Sequence, residues 1–132
     1  MNELIINSTE DSPEIEFDIK KNNFIISGES RPENAGTFYK PIINAIIKLD
    51  LSLHNKIHSG DTSNFAFIFK YTYFNSTSAK YIADIFKNIK SLVEKGHNIE
   101  IRWHYDKRDE DMLNSGTEFS EMFDLKFQFI EY

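Results

Sequence analysis

We predict that residues 1–132 form one α/β domain, in which about three helices pack on a mixed β-sheet that begins with an N-terminal hairpin. The length of 132 residues is typical of a single domain. From residue 65 onward, strand-like and helical hydrophobic patterns alternate, which indicates strands joined by right-handed crossovers. Apolar residues make up 40% of the chain and include 12 Phe and 6 Tyr, so the core should be rich in aromatic side chains.

Composition and charge narrow the possible classes of function. The formal net charge of -6 disfavours nucleic-acid binding, because that affinity rests on basic side chains at phosphates. The absence of cysteine excludes disulfides and thiolate chemistry and fits a reducing compartment. The N-terminus does not resemble a signal peptide, and no apolar run approaches the ~20 residues of a membrane span. We therefore expect a soluble cytoplasmic protein that binds other proteins, without nucleic-acid binding or membrane insertion.

The first part of the chain is predicted to contain a hairpin. Residues 4–6 are a short apolar run, followed by a turn-like stretch at 7–13. Residues 15–19 alternate between apolar and acidic side chains, a pattern typical of a half-buried strand. Residues 20–23 have turn chemistry, so we expect a returning strand at 24–26 that ends by Gly28.

A polar loop and a first helix follow. In the loop, residues 29–34, Asn34 is a candidate helix cap. Apolar residues then recur at helical spacing and form one stripe: Phe38, Ile42, Ala45, Ile46, Leu49 and Leu53. Pro41 conflicts with a helix interior, so either the regular helix starts near Lys40 or it is distorted there. Residues 54–64 are polar, and we expect them to form a surface connection.

The middle of the chain contains the clearest strand and helix. Residues 65–74 are largely apolar at both odd and even positions, which is typical of a central strand covered by helices on at least one side. Residues 79–93 follow the helical apolar pattern until Gly96 ends it. Residues 99–105 alternate again and are predicted to form a strand with one buried face.

The last part is predicted to add a third helix and a short strand. The charged residues 106–111 form a loop or a helix start. For the acidic run 109–111 we favour the helix start, because acidic side chains suit the helix dipole. Apolar residues at 112–123 indicate the helix, with Gly116 as an internal weak point. Residues 125–129 alternate and are predicted to form the final strand.

The corner between the central strand and the second helix carries consecutive polar side chains, Asn75, Ser76, Thr77 and Ser78. Such residues favour helix N-termini because their oxygens accept hydrogen bonds from otherwise unpaired backbone N–H groups. A phosphate on this corner would face those donors, and Lys80 lies four residues after Ser76, close enough to approach it. By itself this chemistry predicts only a helix cap.

Three separated motifs carry a resemblance to a known family. They lie at residues 28–34 (GESRPEN), 73–80 (YFNSTSAK), and 103–106 (WHYD) with 109–113 (DEDML). Together they resemble the SiaC family of bacterial regulatory phosphoproteins over nearly the whole chain. The resemblance implies a fold similar to the STAS domain of anti-sigma factor antagonists. It also implies a non-enzymatic partner-switching role, with no catalytic residue, metal site or cofactor.

The family resemblance further implies partners and site residues. A serine/threonine kinase of the anti-sigma-factor type would phosphorylate a hydroxyl at the start of the second helix, and a metal-dependent serine/threonine phosphatase would remove the phosphate. The unphosphorylated form would bind an effector such as a diguanylate cyclase. The motif places the acceptor on Ser76, where family members more often carry Thr, with Thr77 as the alternate. The implied partner-binding residues are Arg31, Pro32, Glu33, Asn34, Asn75, Ser76, Thr77, Ser78, Lys80 and Tyr105.

Two other classes of function stay open. A small metal-dependent hydrolase would use His104 with Asp106 or Asp109. A constitutive protein-binding scaffold would carry no phosphate and would bind its partners irrespective of phosphorylation. Phosphorylation by a kinase separates the regulator from both alternatives.

One pair of histidines has the spacing of metal ligands. His54 and His58 are four residues apart, with Asp61 nearby, and would hold a metal if their segment were helical. Because no third ligand is well placed in the sequence, we favour a solvated surface at this position.

Overall fold

The computed structural model describes residues 3–132, which form a six-stranded sheet and three helices. The elements are, in chain order, β1 (Glu3–Ile6), β2 (Glu14–Asp18), β3 (Asn23–Ser30), α1 (Ala35–His58), β4 (Phe65–Phe74), α2 (Ser76–Glu94), β5 (Ile99–Tyr105), α3 (Glu110–Phe123) and β6 (Gln128–Glu131). The strands lie side by side in chain order. Strands β1 to β3 pair antiparallel, and β3 to β6 pair parallel. The predicted mixed sheet with an N-terminal hairpin is therefore confirmed.

The core lies between one face of the sheet and the helices. Strand β4 supplies Phe65, Phe67, Phe69 and Tyr71, each at most 1% exposed, to a cluster that also contains the buried side chains of all three helices. Because neighbouring residues of a strand point to opposite faces, Ile68 lies on the other face of the sheet. The aromatic core expected from the composition is thus built mainly on the central strand.

Helix α1 begins earlier than Pro41 suggested. Asn34 caps it, since its side-chain oxygen accepts a hydrogen bond from the Thr37 N–H at 3.0 Å, and the helix runs through Pro41. Proline has no N–H, so the carbonyl of Thr37 has no partner within the helix. Thr37 and Pro41 are both exposed, which leaves that carbonyl side of the helix open to water.

The predicted surface connection at residues 54–64 is wrong over its first half. Helix α1 continues to His58, and only residues 59–64 connect it to β4. The ammonium of Lys56 holds the last turn against the hairpin by donating to the Ile19 carbonyl at 2.7 Å and to the Asn22 side chain. This tertiary contact extends the helix into a polar segment that has no apolar periodicity of its own.

Two strand boundaries also differ from the prediction. Strand β3 does not end at Gly28 but continues to Ser30, because Gly28 adopts φ +107° at a register shift that lets the pairing with β4 resume. The last strand, β6, begins at Gln128. Leu125 and Phe127 are buried but precede it, in the segment that leaves α3.

The remaining elements follow the predicted pattern. Gly96 takes φ +89° just after α2, which is the left-handed conformation that ends many helices. The acidic run 109–111 is a helix start, as predicted, since Asp109 caps α3 by accepting a hydrogen bond from the Met112 N–H at 3.0 Å and the other two residues lie in the first turn. Across residues 3–132, none of the helices is both long enough and apolar enough to pass through a membrane.

Candidate functional site

The three sequence motifs meet at one edge of the sheet. Strands β3, β4 and β5 run parallel, so their carboxyl ends lie along the same edge, which we call the carboxyl edge. The chain leaves these strands at Ser30, Phe74 and Tyr105. The loop before α1, the start of α2 and the segment leading into α3 therefore emerge next to one another. In open α/β sheets this edge is the usual place for binding sites.

The start of α2 is capped and open to solvent. Asn75 has an extended backbone, and its side-chain oxygen accepts a hydrogen bond from the Ser78 N–H at 2.8 Å. Its own N–H donates to the Ser30 carbonyl at 3.1 Å, which ties the corner to β3. Ser76 and Thr77 are exposed in the first turn, where their N–H groups have no acceptor within the helix. An anion at this position would meet backbone donors and the positive end of the helix dipole.

Ser78 differs from its two neighbours because its side chain is fully buried. The family resemblance implies that Ser78 lies at the partner surface, but its hydroxyl donates to the Ser30 carbonyl at 3.1 Å and accepts from the Ser30 hydroxyl at 2.9 Å. The chain of hydroxyls continues from Ser30 to Tyr39 at 2.6 Å and from Tyr39 to Tyr71 at 3.1 Å. Ser78 thus belongs to an internal hydroxyl network that joins β3, α1, β4 and α2 beneath the corner.

The direction of the hydrogen bonds in this network follows from the number of available protons. The hydroxyl protons of Ser78 and Ser30 are already used, so Tyr39 donates to Ser30 and Tyr71 donates to Tyr39. Burial raises the pKa of Tyr39, and it raises the pKa of Tyr71 well above its ordinary value, with Tyr39 adding to that shift. Both phenols therefore stay protonated at neutral pH and serve as donors.

The network predicts an order of stability effects. Ser30→Ala should destabilise the fold by about 1–3 kcal/mol, because it leaves the buried Tyr39 O–H without an acceptor and removes the donor whose proton Ser78 accepts. Tyr71→Phe removes only the terminal donor and should cost about 0.5–1.5 kcal/mol. Urea unfolding of both variants checks this order. A Ser30→Ala chain as stable as the wild type would show that the network does not stabilise the corner.

The loop before α1 presents Arg31, Glu33 and Asn34 to solvent, with Pro32 half-buried. The Arg31 N–H donates to the Asp11 carbonyl at 2.8 Å, and its guanidinium lies 3.2 Å from the Glu29 carboxylate. These contacts hold the loop against the segment before β2. The charged side chains themselves stay accessible, since both members of the ion pair are more than 40% exposed.

The other two residues implied by the resemblance lie on opposite sides of the corner. Lys80 is exposed, and its ammonium lies 5.8 Å from the centre of the Tyr81 ring. That ring in turn stacks on Tyr39. Tyr105 is half-buried at the end of β5 and packs against the core. The exposed part of the predicted set is therefore formed mainly by the loop before α1 and the first turn of α2.

A cavity of about 320 Å³ opens at the same carboxyl edge. Its lining residues are Tyr71, Thr72, Asp106, Arg108, Asp109 and Tyr132. Hydrogen bonds from Arg108 lower the pKa of Asp106 to about 2, and the closest of them measures 2.8 Å. Asp109 is used as the cap of α3. Asp106 and Asp109, of which the hydrolase alternative needs one, are thus both engaged in local contacts. Within residues 3–132, no group of three or more His, Asp or Glu side chains is arranged to hold a metal.

The comparison with known families identifies the chain. Residues 6–132 match the model of a family described as SiaC family regulatory phosphoprotein. The chain belongs to the SiaC family. A Pseudomonas aeruginosa (strain UCBPP-PA14) protein described as uncharacterised is 27% identical to this SiaC-family chain over 139 aligned residues, covering 98% of this chain and 94% of that protein.

Solved SiaC structures share the fold of this family member. The crystal structure of apo-SiaC from Pseudomonas aeruginosa gives a TM-score of 0.81 at 24% identity and covers 99% of this chain and 98% of that one. The crystal structure of the diguanylate cyclase SiaD in complex with its activator SiaC, from the same organism, gives a TM-score of 0.84 at 23% identity, with coverages of 98% and 99%. The predicted family and α/β fold are confirmed.

Sequence reasoning missed the internal hydroxyl network. The sequence predicts Ser30 in a polar loop, whereas in the structure it ends β3 and is fully buried. The only available signal was the alternation in β4, which puts Tyr71 on the same buried face as Phe67 and Phe69. A buried phenol must find a hydrogen-bond partner, but the sequence did not identify it.

Proposed function

We propose that this SiaC-family chain is the non-enzymatic switch of a cytoplasmic partner-switching module. In this proposal a serine/threonine kinase of the anti-sigma-factor type phosphorylates Ser76, and a metal-dependent serine/threonine phosphatase reverses the reaction. The unphosphorylated form binds and activates an effector, a diguanylate cyclase. The complex of SiaC with SiaD supports the choice of effector, since it shows that a protein of this fold binds such an enzyme.

The observation that carries the proposal is the exposure of Ser76 at the first position of α2, on the edge where the three motifs meet. A kinase can reach this hydroxyl without unfolding the helix. Thr77 is also exposed and is the alternate acceptor, whereas the buried hydrogen bonds of Ser78 argue against that residue. The Asn75 cap satisfies the Ser78 N–H and leaves those of Ser76 and Thr77 for the phosphate.

The expected effect of phosphorylation lies in the complexes and not in the fold. A phosphate adds about −1.5 to −2 charges, and at a helix N-terminus this is favourable by ~0.3–2 kcal/mol. The same charge against an acidic or closely packed partner costs several kcal/mol, and each ~1.4 kcal/mol is tenfold in affinity. Ser76 and Lys80 are exposed on α2, and the exposed Arg31 loop leaves β3 beside the end of β4, so a partner that covers this surface would meet the phosphate directly.

Intact-mass spectrometry after incubation with the kinase and Mg-ATP tests the proposal. We expect one added phosphate, mapped to Ser76 by peptide fragmentation, and its complete loss in Ser76→Ala. Thr77→Ala is the matched control and should be phosphorylated like the wild type. A phosphate that persists in Ser76→Ala would move the acceptor to Thr77, and a chain that accepts no phosphate would favour the constitutive scaffold.

A further inference from the structure

One exposed stripe of α1 combines apolar side chains with histidines. Its members are Ile47, Leu51, His54 and His58. The spacing of four, three and four residues keeps them on one side of the helix. Ile47 is 55% exposed and Leu51 is 66% exposed, and both histidines are exposed as well. The buried side of α1 contains other residues, so this stripe has no role in the core of the domain.

The two histidines are arranged as a chelating pair. Their Nε2 atoms lie 3.0 Å apart, with the rings at 74° to each other. Two imidazole nitrogens bound at ~2.0–2.1 Å to one tetrahedral zinc ion lie about 3.3 Å apart, so the pair needs only a small adjustment to share an ion. An Nε2–H···Nε2 hydrogen bond can hold the rings in this arrangement beforehand, which lowers the cost of ordering them.

The carboxylates nearest to this histidine pair in the sequence are hydrogen-bonded to other residues. The Asp50 carboxylate, one turn before His54, is bound by Lys95 at 3.0 Å and by His97 at 2.7 Å. Asp61 accepts hydrogen bonds from the backbone and hydroxyl of Ser63. Within residues 3–132 the pair therefore has no third ligand beside it, in agreement with the lack of a three-residue metal cluster there. A structural zinc site uses four ligands, so one chain supplies half of it.

We infer that His54 and His58 form half of a zinc site and that a second copy of this chain supplies the other half. A two-fold axis parallel to α1 would bring the same residues of both chains together, giving four imidazole ligands around one ion. It would also pack Leu51 against Leu51 and Ile47 against Ile47, as in the alternating layers of a parallel coiled coil.

The proposed dimer depends on the metal. On the N-terminal side the stripe continues with Asn44 and Lys40, which are polar, so the apolar seam comprises only two layers. Two exposed layers bury far less surface than the ~1,200–2,000 Å² of a stable interface. Zinc coordination must therefore contribute most of the association free energy, and the chain should be monomeric without it.

The site lies at the opposite end of the molecule from the phosphorylation surface. Helix α1 starts after β3 at the carboxyl edge and leads back to the start of β4. His58 therefore lies near the opposite end of the sheet, where the parallel strands begin. Metal binding there leaves Ser76 accessible. The inference is consequently independent of the proposed function, and either can fail without the other.

Zinc titration of the full chain, pretreated with a chelator, tests the inference. Calorimetry should give about half a zinc ion per chain, and light scattering after size exclusion should show a doubling of mass on adding zinc.

Variants of the stripe test the assignment of the ligands. His54→Ala and His58→Ala each remove a ligand, so each should lose more zinc affinity than the ~10–100-fold that is typical when a residue hydrogen-bonded to a ligand is changed. Both variants should stay monomeric. Leu51→Ala should keep binding zinc but dimerise more weakly. His104→Ala, which removes a half-buried histidine of β5, is the control and should dimerise like the wild type.

Three results would overturn the inference. The first is the absence of saturable zinc binding by the wild-type chain. The second is one zinc ion per chain with the mass unchanged, which would make the pair a monomeric site. The third is zinc-dependent dimerisation that persists in His54→Ala, which would place the metal elsewhere.

Discussion

Ser76→Asp is expected to weaken effector binding by about 10- to 100-fold, equivalent to ~1.4–2.8 kcal/mol. The substitution puts a permanent negative charge on the exposed first position of α2, between Asn75 and Thr77. A carboxylate carries less charge than a phosphate, so the effect should be smaller than that of phosphorylation itself. Calorimetric titration with the proposed effector, a diguanylate cyclase, measures this loss of affinity. The melting temperature should not fall, because a carboxylate suits a helix N-terminus.

Two matched variants separate the position of the charge from its presence. Ser76→Asn changes the side chain at the same position without adding charge and should bind the effector much better than Ser76→Asp. Asn64→Asp adds the same charge at an exposed position before β4, about 30 Å away at the other end of that strand. It should leave binding unchanged. Equal affinities for Ser76→Asp, Asn64→Asp and the wild type would refute a switch at this corner.

Gly116→Ala is expected to destabilise the fold by about 1–3 kcal/mol. A Cβ atom at this position would lie 2.5 Å from Cδ1 and 2.6 Å from Nε1 of Trp103. The indole cannot move away, since it is 1% exposed, donates to the Met112 carbonyl at 2.9 Å and packs against aromatic rings of the core. Urea unfolding measures the loss. The sequence predicts that Gly116 is a weak point of α3, whereas in the structure it is the position at which α3 packs directly against Trp103.

The sign of this effect distinguishes packing from helix propensity. Alanine favours a helix over glycine by ~1 kcal/mol, so an unpacked glycine would become more stable on substitution. Asn114→Ala on the same helix is the control, because Asn114 is exposed and should gain a few tenths of a kcal/mol. Trp103→Phe in the Gly116→Ala background should recover part of the loss, as expected for two residues in direct contact. A Gly116→Ala chain as stable as the wild type would contradict the packing argument.

Much of the fold could be predicted because its strongest signals are local. Strand β4 and helix α2 have long, unbroken hydrophobic periodicity, and both lie where that periodicity predicts. The predicted boundaries are wrong where tertiary contacts determine the length of a helix or strand. The end of α1 depends on Lys56 reaching the hairpin, and the extension of β3 past Gly28 depends on pairing with β4. Neither contact leaves a periodic pattern in the sequence.

In the candidate site, too, local features could be predicted from the sequence, whereas features that depend on tertiary contacts could not. The sequence by itself determined the family and the capped corner, because cap chemistry and short motifs involve only neighbouring residues. The acceptor Ser76 follows from the family resemblance and stays a prediction. Only the tertiary structure decided that Ser78 is internal while Ser76 and Thr77 face solvent. The physical reason is that burial and hydrogen-bond partnership join residues far apart in the chain, as the bond from Ser30 to Ser78 does across 48 positions.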